Sequence, residues 1–297
     1  MTEFFQYLGS GLMIGCIYGL IAVGYTAVYN VTGIVNFAQG DASMLGALCA
    51  VGLLGLGLPL LPAIIAAVCL VGLIFVVLER VAIRPAGSNV MRGIIITITI
   101  GIGIGIGIGV ALEGMAVLLW GTDAQPLPAF SGEKPIALGT VMMPPQAFWI
   151  FGTTAILMAA LYLFYTRTYI GKAFRACAMN DYASSLMGIP ARVMRGVGFM
   201  LSGTIGAAAG VIVAPIALMQ YDSGIFLGIK GFVACIIGGF GNPIGAALGG
   251  LVLGLLESFS TGYISSGFKS AIAFVVLLVF LFVKPGGLLG EFDAVKR

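Results

Sequence analysis

The chain has 297 residues, 60% of them hydrophobic and only 8% charged, with 46 glycines, no histidine and a formal charge of +3. A soluble domain carries roughly 25% charged residues, so these few cannot coat the surface, and a water-soluble enzyme is excluded in favour of a membrane protein. Imidazole bases, Ser-His-Asp triads and His-ligated zinc are excluded with the histidines.

The first residues, Met1 to Phe5, carry no basic residue ahead of the first apolar run, so that run is expected to stay as a membrane span rather than be cleaved. A helix crosses a bilayer with about 20 apolar residues. Segments of that kind run over 8–29, 41–58, 62–79, 93–112, 146–165, 196–218 and 268–283. A longer apolar stretch, 229–259, contains Gly238-Gly239-Phe240-Gly241-Asn242-Pro243. Pro lacks a donor and Gly is a poor helix former, so two shorter helices are expected there.

Basic residues orient the passes. Arg80, Arg84 and Arg92 follow the third segment; Arg167, Lys172, Arg175, Arg192 and Arg195 follow the fifth; Lys284, Lys296 and Arg297 mark the tail. The 113–145 connection holds Lys134 against Glu113, Asp123 and Glu133. The positive-inside rule places the basic loops and tail in the cytoplasm and 113–145 outside. Trp120 and Trp149 flank that external loop as interfacial anchors. The expected fold is an all-α integral membrane bundle of eight or nine transmembrane helices, some short or broken, with the N-terminus outside and the C-terminus cytoplasmic.

Small residues recur every fourth position at Gly11/Gly15/Gly19, Gly101/Gly105/Gly109, Ser202/Gly206/Gly210 and Gly241/Gly245/Gly249. Such faces let helix backbones approach closely in lipid, for tight packing or for sliding. The alternation from Gly101 to Gly109 has the period of a strand, but an open strand leaves its backbone unpaired in lipid, so a helix is expected. The five cysteines are scattered with no C-x-x-C pair and read as core-filling thiols.

Between the first two segments, residues 30–41 include Thr32, Gly33, Asn36, Gln39, Gly40 and Asp41. The stretch is too polar for lipid and too apolar for an ordinary loop. Thr32, Asn36 and Gln39 either line a solute path, or Asn36 or Asp41 caps the following helix. Glu257, near the external end of the broken stretch, is interfacial, hydrogen-bonded within the bundle, or a proton relay. Gln220, Asp222 and Lys230 fall in the external connection before it.

The cytoplasmic loop 166–195 is long enough for a surface helix. Asn180 or Asp181 is a fair N-cap; Tyr182, Ala183, Leu186 and Met187 form one apolar stripe; Gly188 and Pro190 close it. That ridge suits a partner's groove or a bed of lipid headgroups. No phosphate-binding loop exists: Gly171-Lys172 is followed by Ala173 and lacks the leading Gly.

Four stretches resemble the permease subunits of branched-chain amino acid ABC transporters of the LivH type. They are Gly24–Tyr29 with Gly33–Gly40, Glu79–Pro85, the 171–189 loop, and Lys230–Ala234 with Gly238–Gly241, Gly245–Gly250 and Lys284–Gly290. Together they span nearly the whole chain. Such permeases contact their ATPases through E-A-A-x-x-x-G, whose matching positions here are Tyr182, Ala183, Ser184 and Gly188; the acidic residue and one Ala are replaced. The resemblance implies a single permease domain over 1–297 and ATPase coupling through Tyr182, Ala183, Ser184, Leu186, Met187 and Gly188. It further implies two ATP-binding cassette subunits, a second related permease chain or a homodimer, and a periplasmic solute-binding protein. It implies no cofactor bound by this chain, with ATP in the partner subunits, and no nucleic acid. The expected activity is import of a branched-chain or related amino acid across the inner membrane by alternating access, with no enzymatic step in this chain. A stand-alone channel or gradient-driven secondary transporter is the rival, since broken helices and intramembrane polar groups fit it too.

Overall fold

Long apolar stretches without water must satisfy their backbones internally, and the computed structural model is accordingly almost all helix. It describes residues 2–83, 94–132, 134–138 and 141–290; Arg84, Pro85, Arg92, Glu133, Lys296 and Arg297, named above, lie outside them. In chain order the helices are α1 (Thr2–Thr32), α2 (Gln39–Gly55), α3 (Leu60–Leu78, ending in a π-turn over Glu79–Ile83), α4 (Ile94–Trp120), α5 (Gln146–Arg167), α6 (Tyr169–Met179), α7 (Asp181–Leu186), α8 (Ala191–Val213), α9 (Ser223–Gly238), α10 (Pro243–Tyr263) and α11 (Lys269–Val283). A small antiparallel pair, β1 (Ile136–Leu138) and β2 (Val141–Met143), decorates the connection before α5. Among the described residues seven helices are long and apolar enough to cross a membrane, and α9 is a shorter apolar helix.

The 229–259 stretch divides where its glycines and proline stand. α9 ends at Gly238 and α10 starts at Pro243, with Asn242 as N-cap: its Oδ1 accepts from Ile244 N at 3.0 Å and Gly245 N at 3.1 Å. Gly239 and Gly241 between them take positive φ, which only glycine adopts cheaply. Two of the boundaries that differ from the sequence reading move residues named above. α9 begins at Ser223, so Lys230 lies inside it and not in a connection. α4 continues to Trp120, so Glu113 is helical and the connection before α5 is 121–145 rather than 113–145.

Helices α1, α2, α8, α9 and α10 hold most of the core, including Tyr25, Ile21, Met44, Phe199 and Ile237. Helices α3, α4, α5 and α11 surround them and expose apolar side chains such as Leu73, Leu118, Ile156 and Phe282, a surface suited to lipid. The small-residue faces form the inner crossings. A side chain at Gly15 would meet Leu251 Cα of α10 at 2.8 Å, and one at Gly46 of α2 would meet Ala207 Cα of α8 at 2.5 Å. Gly206 and Gly210 press α8 on α2, Gly245 and Gly249 press α10 on α9, and Gly105 and Gly109 press α4 on residues 36–41. They serve backbone approach, the packing alternative.

The bundle has two polar faces. On the first, the hairpin tip between α9 and α10 meets Asn30 at the end of α1 and the tail segment 284–290. Leu288 N donates to Ile237 O at 2.8 Å and Leu289 N to Gly238 O at 3.0 Å, so the tail satisfies carbonyls that the end of α9 leaves free. Helices α6 and α7 lie on this face. α3 runs antiparallel to α8, with Gly72 beside Thr204 and Phe75 beside Gly203, and so brings Arg80 there as well. On the second face the Gln6 side chain pairs with β2 like an extra strand, donating to Met142 O at 2.7 Å and accepting from Met142 N at 3.0 Å. Tyr7 packs on Tyr263 there, and Gln125 bridges Met219.

Candidate functional site

Three features stand out against an otherwise apolar bundle. The first is the non-helical link from Gly33 to Ala38. α1 stops as the Thr32 hydroxyl bonds back to Val28 O (2.8 Å) and accepts from Ile34 N (3.1 Å). Asn36 Oδ1 accepts from Ala38 N at 3.2 Å, an Asx turn that redirects the chain. α2 then begins with Ala38 as its N-cap and no side-chain cap, so neither Asn36 nor Asp41 caps it. Gln39 is fully buried, donates from Nε2 to Ser202 O at 3.1 Å and accepts from the Ser202 hydroxyl, which fixes the link to α8. Thr32 is half-buried and Asn36 buried.

This link climbs back into the bundle. Asp41, in the first turn of α2, lies against Gly224 of α9 and Gly109 of α4. Gly224 is about 21 Å along α9 from its tip on the first face, and Gly109 about 16 Å along α4 from Trp120 at the other end, at 1.5 Å per residue. α2 therefore starts near the middle of the bundle, with Tyr25 below it donating to Gly228 O at 3.1 Å.

The second feature is a buried ionic cluster that the sequence did not reveal. Glu257 of α10 has no exposed surface, and its Oε1 accepts from Lys230 Nζ of α9 (2.7 Å), Lys269 Nζ of α11 (3.1 Å) and Tyr18 Oη of α1 (3.1 Å). Lys230 Nζ also sits over the Tyr18 ring, 5.4 Å from its centroid. Four helices are tied at one carboxylate. Of the alternatives for Glu257, hydrogen bonding inside the bundle is the one seen. The available signal was the period of α9: residue 230 is one turn from Phe226 and Ala234, both helical.

The third feature is the loop on the first face. Asn180 caps α7, accepting from Ala183 N at 2.9 Å, and Gly188 ends it at φ 82°. Tyr182, Ala183, Leu186 and Met187 are exposed, joined by Met179, while Ser184 turns inward and is buried. An uncovered row of large apolar side chains on a polar face is the signature of a contact surface. Beneath it, Phe174 and Cys177 of α6, Met194 of α8 and Val31 of α1 form a separate small core. Burial there pushes the Cys177 thiol above its ordinary pKa, as for an inert packing cysteine. Val31 precedes Thr32, so this core joins the exposed row to the start of the mid-bundle link.

A cleft of ≈ 630 Å³ opens on the second face between Pro126–Pro128, Pro144–Gln146 and Pro215–Leu218. Among the described residues no cluster of His, Cys, Asp and Glu could hold a metal ion.

Comparison with known proteins gives the family. The chain is 31% identical to the high-affinity branched-chain amino acid transport system permease protein BraD of Pseudomonas aeruginosa, over all of both chains. It is 29% identical to the corresponding LivH protein of Escherichia coli K12, over 99% of this chain and 97% of that one. It is also 29% identical to a probable branched-chain amino acid transport permease protein LivH of Methanocaldococcus jannaschii, over 94% and 90%. The family model described as branched-chain amino acid transport system / permease component matches residues 7–282. The chain, a multi-pass membrane protein, belongs to that family of permease components.

Proposed function

We propose that this chain is the transmembrane subunit of a binding-protein-dependent ABC importer of the inner membrane, carrying a branched-chain or related amino acid by alternating access. The observation that carries the reading is the exposed apolar row Tyr182, Ala183, Leu186 and Met187, with Gly188 ending its helix and the buried Ser184 seating it. It is the handle for two separate ATPase subunits, because the chain has no phosphate-binding loop of its own. Movement of α7 passes through Phe174 to Val31 and so to Thr32, Asn36 and Gln39, the polar link that lines the path. Asn36 offers its carboxamide there; Gln39 holds the link to α8.

The first face is cytoplasmic, because it gathers Arg80, Arg167, Lys172, Arg175 and Lys284. The second is external and receives a solute-binding protein around 121–145. The N-terminus is then outside, and α9 with α10 supplies the two crossings that nine passes require. A second related permease, or a second copy, completes the pathway; ATP hydrolysis belongs to the partners and this chain is no enzyme.

The test is co-purification with the ATPases. Leu186→Glu with Met187→Glu is expected to release the ATPase subunits and stop accumulation of leucine, with membrane abundance unchanged. Retention of the ATPases and normal uptake in this variant would refute the assignment, as would gradient-driven uptake by the chain alone in vesicles.

A further inference from the structure

We propose that Asp41 is the residue of the transport path that receives the ammonium group of the amino-acid solute; this rests on the importer reading above. Four observations carry it. Asp41 is 4% exposed near the middle of the bundle, where a carboxylate is costly and persists only with a partner or a function. Space for its two oxygens is cleared by glycine on two different helices. A side chain at Gly109 of α4 would come within 2.7 Å of Oδ2, and one at Gly224 of α9 would collide with Oδ1.

Among the described residues, no donor hydrogen-bonds to the carboxylate. The nearby hydroxyl of Tyr25 is spent on Gly228 O, that of Ser43 on Gly40 O, and α2 uses no side-chain cap. Lys230, two residues beyond Gly228, is committed to Glu257. On α4, Gly105, Gly109 and Glu113 follow one another at i, i+4 and i+8 and share a face, so the groups added along this seam are another acid and, beside Gly105, the Asn36 carboxamide oxygen. A carboxylate without a donor, in a seam floored by glycine, suits a small group that brings three N–H donors and a positive charge.

The first turns of α2 and α9 flank the same carboxylate, and their free backbone N–H groups carry partial positive charge. A zwitterion thus finds both signs beside Asp41, the ammonium on the carboxylate and its own carboxylate toward a helix start.

The experiment uses the whole importer in membrane vesicles with its binding protein, leucine as solute, and three readouts: membrane abundance, binding-protein-stimulated ATP hydrolysis, and ATP-driven uptake. Asp41→Asn removes the charge at constant size and is expected to lower uptake roughly tenfold or more, the worth of one charge-assisted hydrogen bond, while abundance and stimulated hydrolysis persist. Asp41→Glu is expected to restore much of the uptake. Wild-type uptake by Asp41→Asn overturns the proposal. So does a requirement of the wild type for sodium over choline that Asp41→Asn abolishes, since the carboxylate then serves a free cation. If Asp41→Asn does not reach the membrane, the unaltered importer is treated with dicyclohexylcarbodiimide and the adduct mapped. Modification of Asp41 reduced several-fold by saturating leucine supports the assignment; equal modification with and without leucine overturns it. Absence of any ATP-driven leucine accumulation in the wild type sinks the importer reading itself, a result separate from those on Asp41.

Discussion

Glu257 makes a quantitative test of the packing. In Glu257→Leu, Lys230, whose side chain is 14% exposed, loses its carboxylate in a site that excludes water, whereas Lys269, at 43%, turns to solvent at little cost. Breaking a buried pair by removing one partner costs about 3–5 kcal/mol, most of it the penalty of the charge left behind. At roughly 2–4 °C per kcal/mol, Tm falls by roughly 10 °C. The double variant Lys230→Met/Glu257→Leu removes that stranded charge and is expected to recover more than about half of the loss. Lys230→Met alone is expected to fall between the two, because Tyr18 and Lys269 still serve the carboxylate. The assay is thermal unfolding of the purified protein followed by the fluorescence of Trp120 and Trp149. A double variant no more stable than Glu257→Leu, or a Glu257→Leu shift under about 2 °C, refutes the claim that this cluster holds α1, α9, α10 and α11 together.

Two further substitutions check the crossings. Gly210→Ala puts a methyl into the Ser43 backbone, where neither helix can yield cheaply; a cost of about 1–3 kcal/mol or more is expected to appear as reduced membrane abundance, with Gly55→Ala, which meets nothing within 4 Å, as the unchanged control. Asn242→Ala removes the cap of α10 together with a 3.2 Å bond to Leu289 O, for a loss of about 1 kcal/mol or more, while Asn242→Asp keeps the cap and recovers most of it.

The sequence carried the helices wherever one residue type decides locally. Pro243 and the glycines before it mark the break between α9 and α10; the spacing of Gly11, Gly15 and Gly19 marks the seam with α10; Asn180 and Gly188 bound α7. These are backbone effects, readable one segment at a time. What stayed hidden depends on side chains that meet from distant segments. Lys230 reads as a loop residue because hydropathy alone starts the stretch at 229, six residues after α9 begins, and its neighbour Glu257 then has no visible partner. Gln39 is visible as a polar residue of the link, but its hold on Ser202, a partner 163 positions away, is not. Asp41 was visible as a charge, but only the folded chain brings Gly109 and Gly224 to it.

The closure of the hairpin tip by the tail has a temporal consequence. The last carbonyls of α9, at Ile237 and Gly238, wait for the N–H groups of Leu288 and Leu289, about fifty residues later in synthesis. At ~5–20 residues per second the ribosome leaves them unsatisfied for several seconds, so this corner of the bundle is finished only once the chain has been made past Leu289. A stop codon placed just after α11 therefore leaves the carbonyls of Ile237 and Gly238 without those donors, and the hairpin tip open.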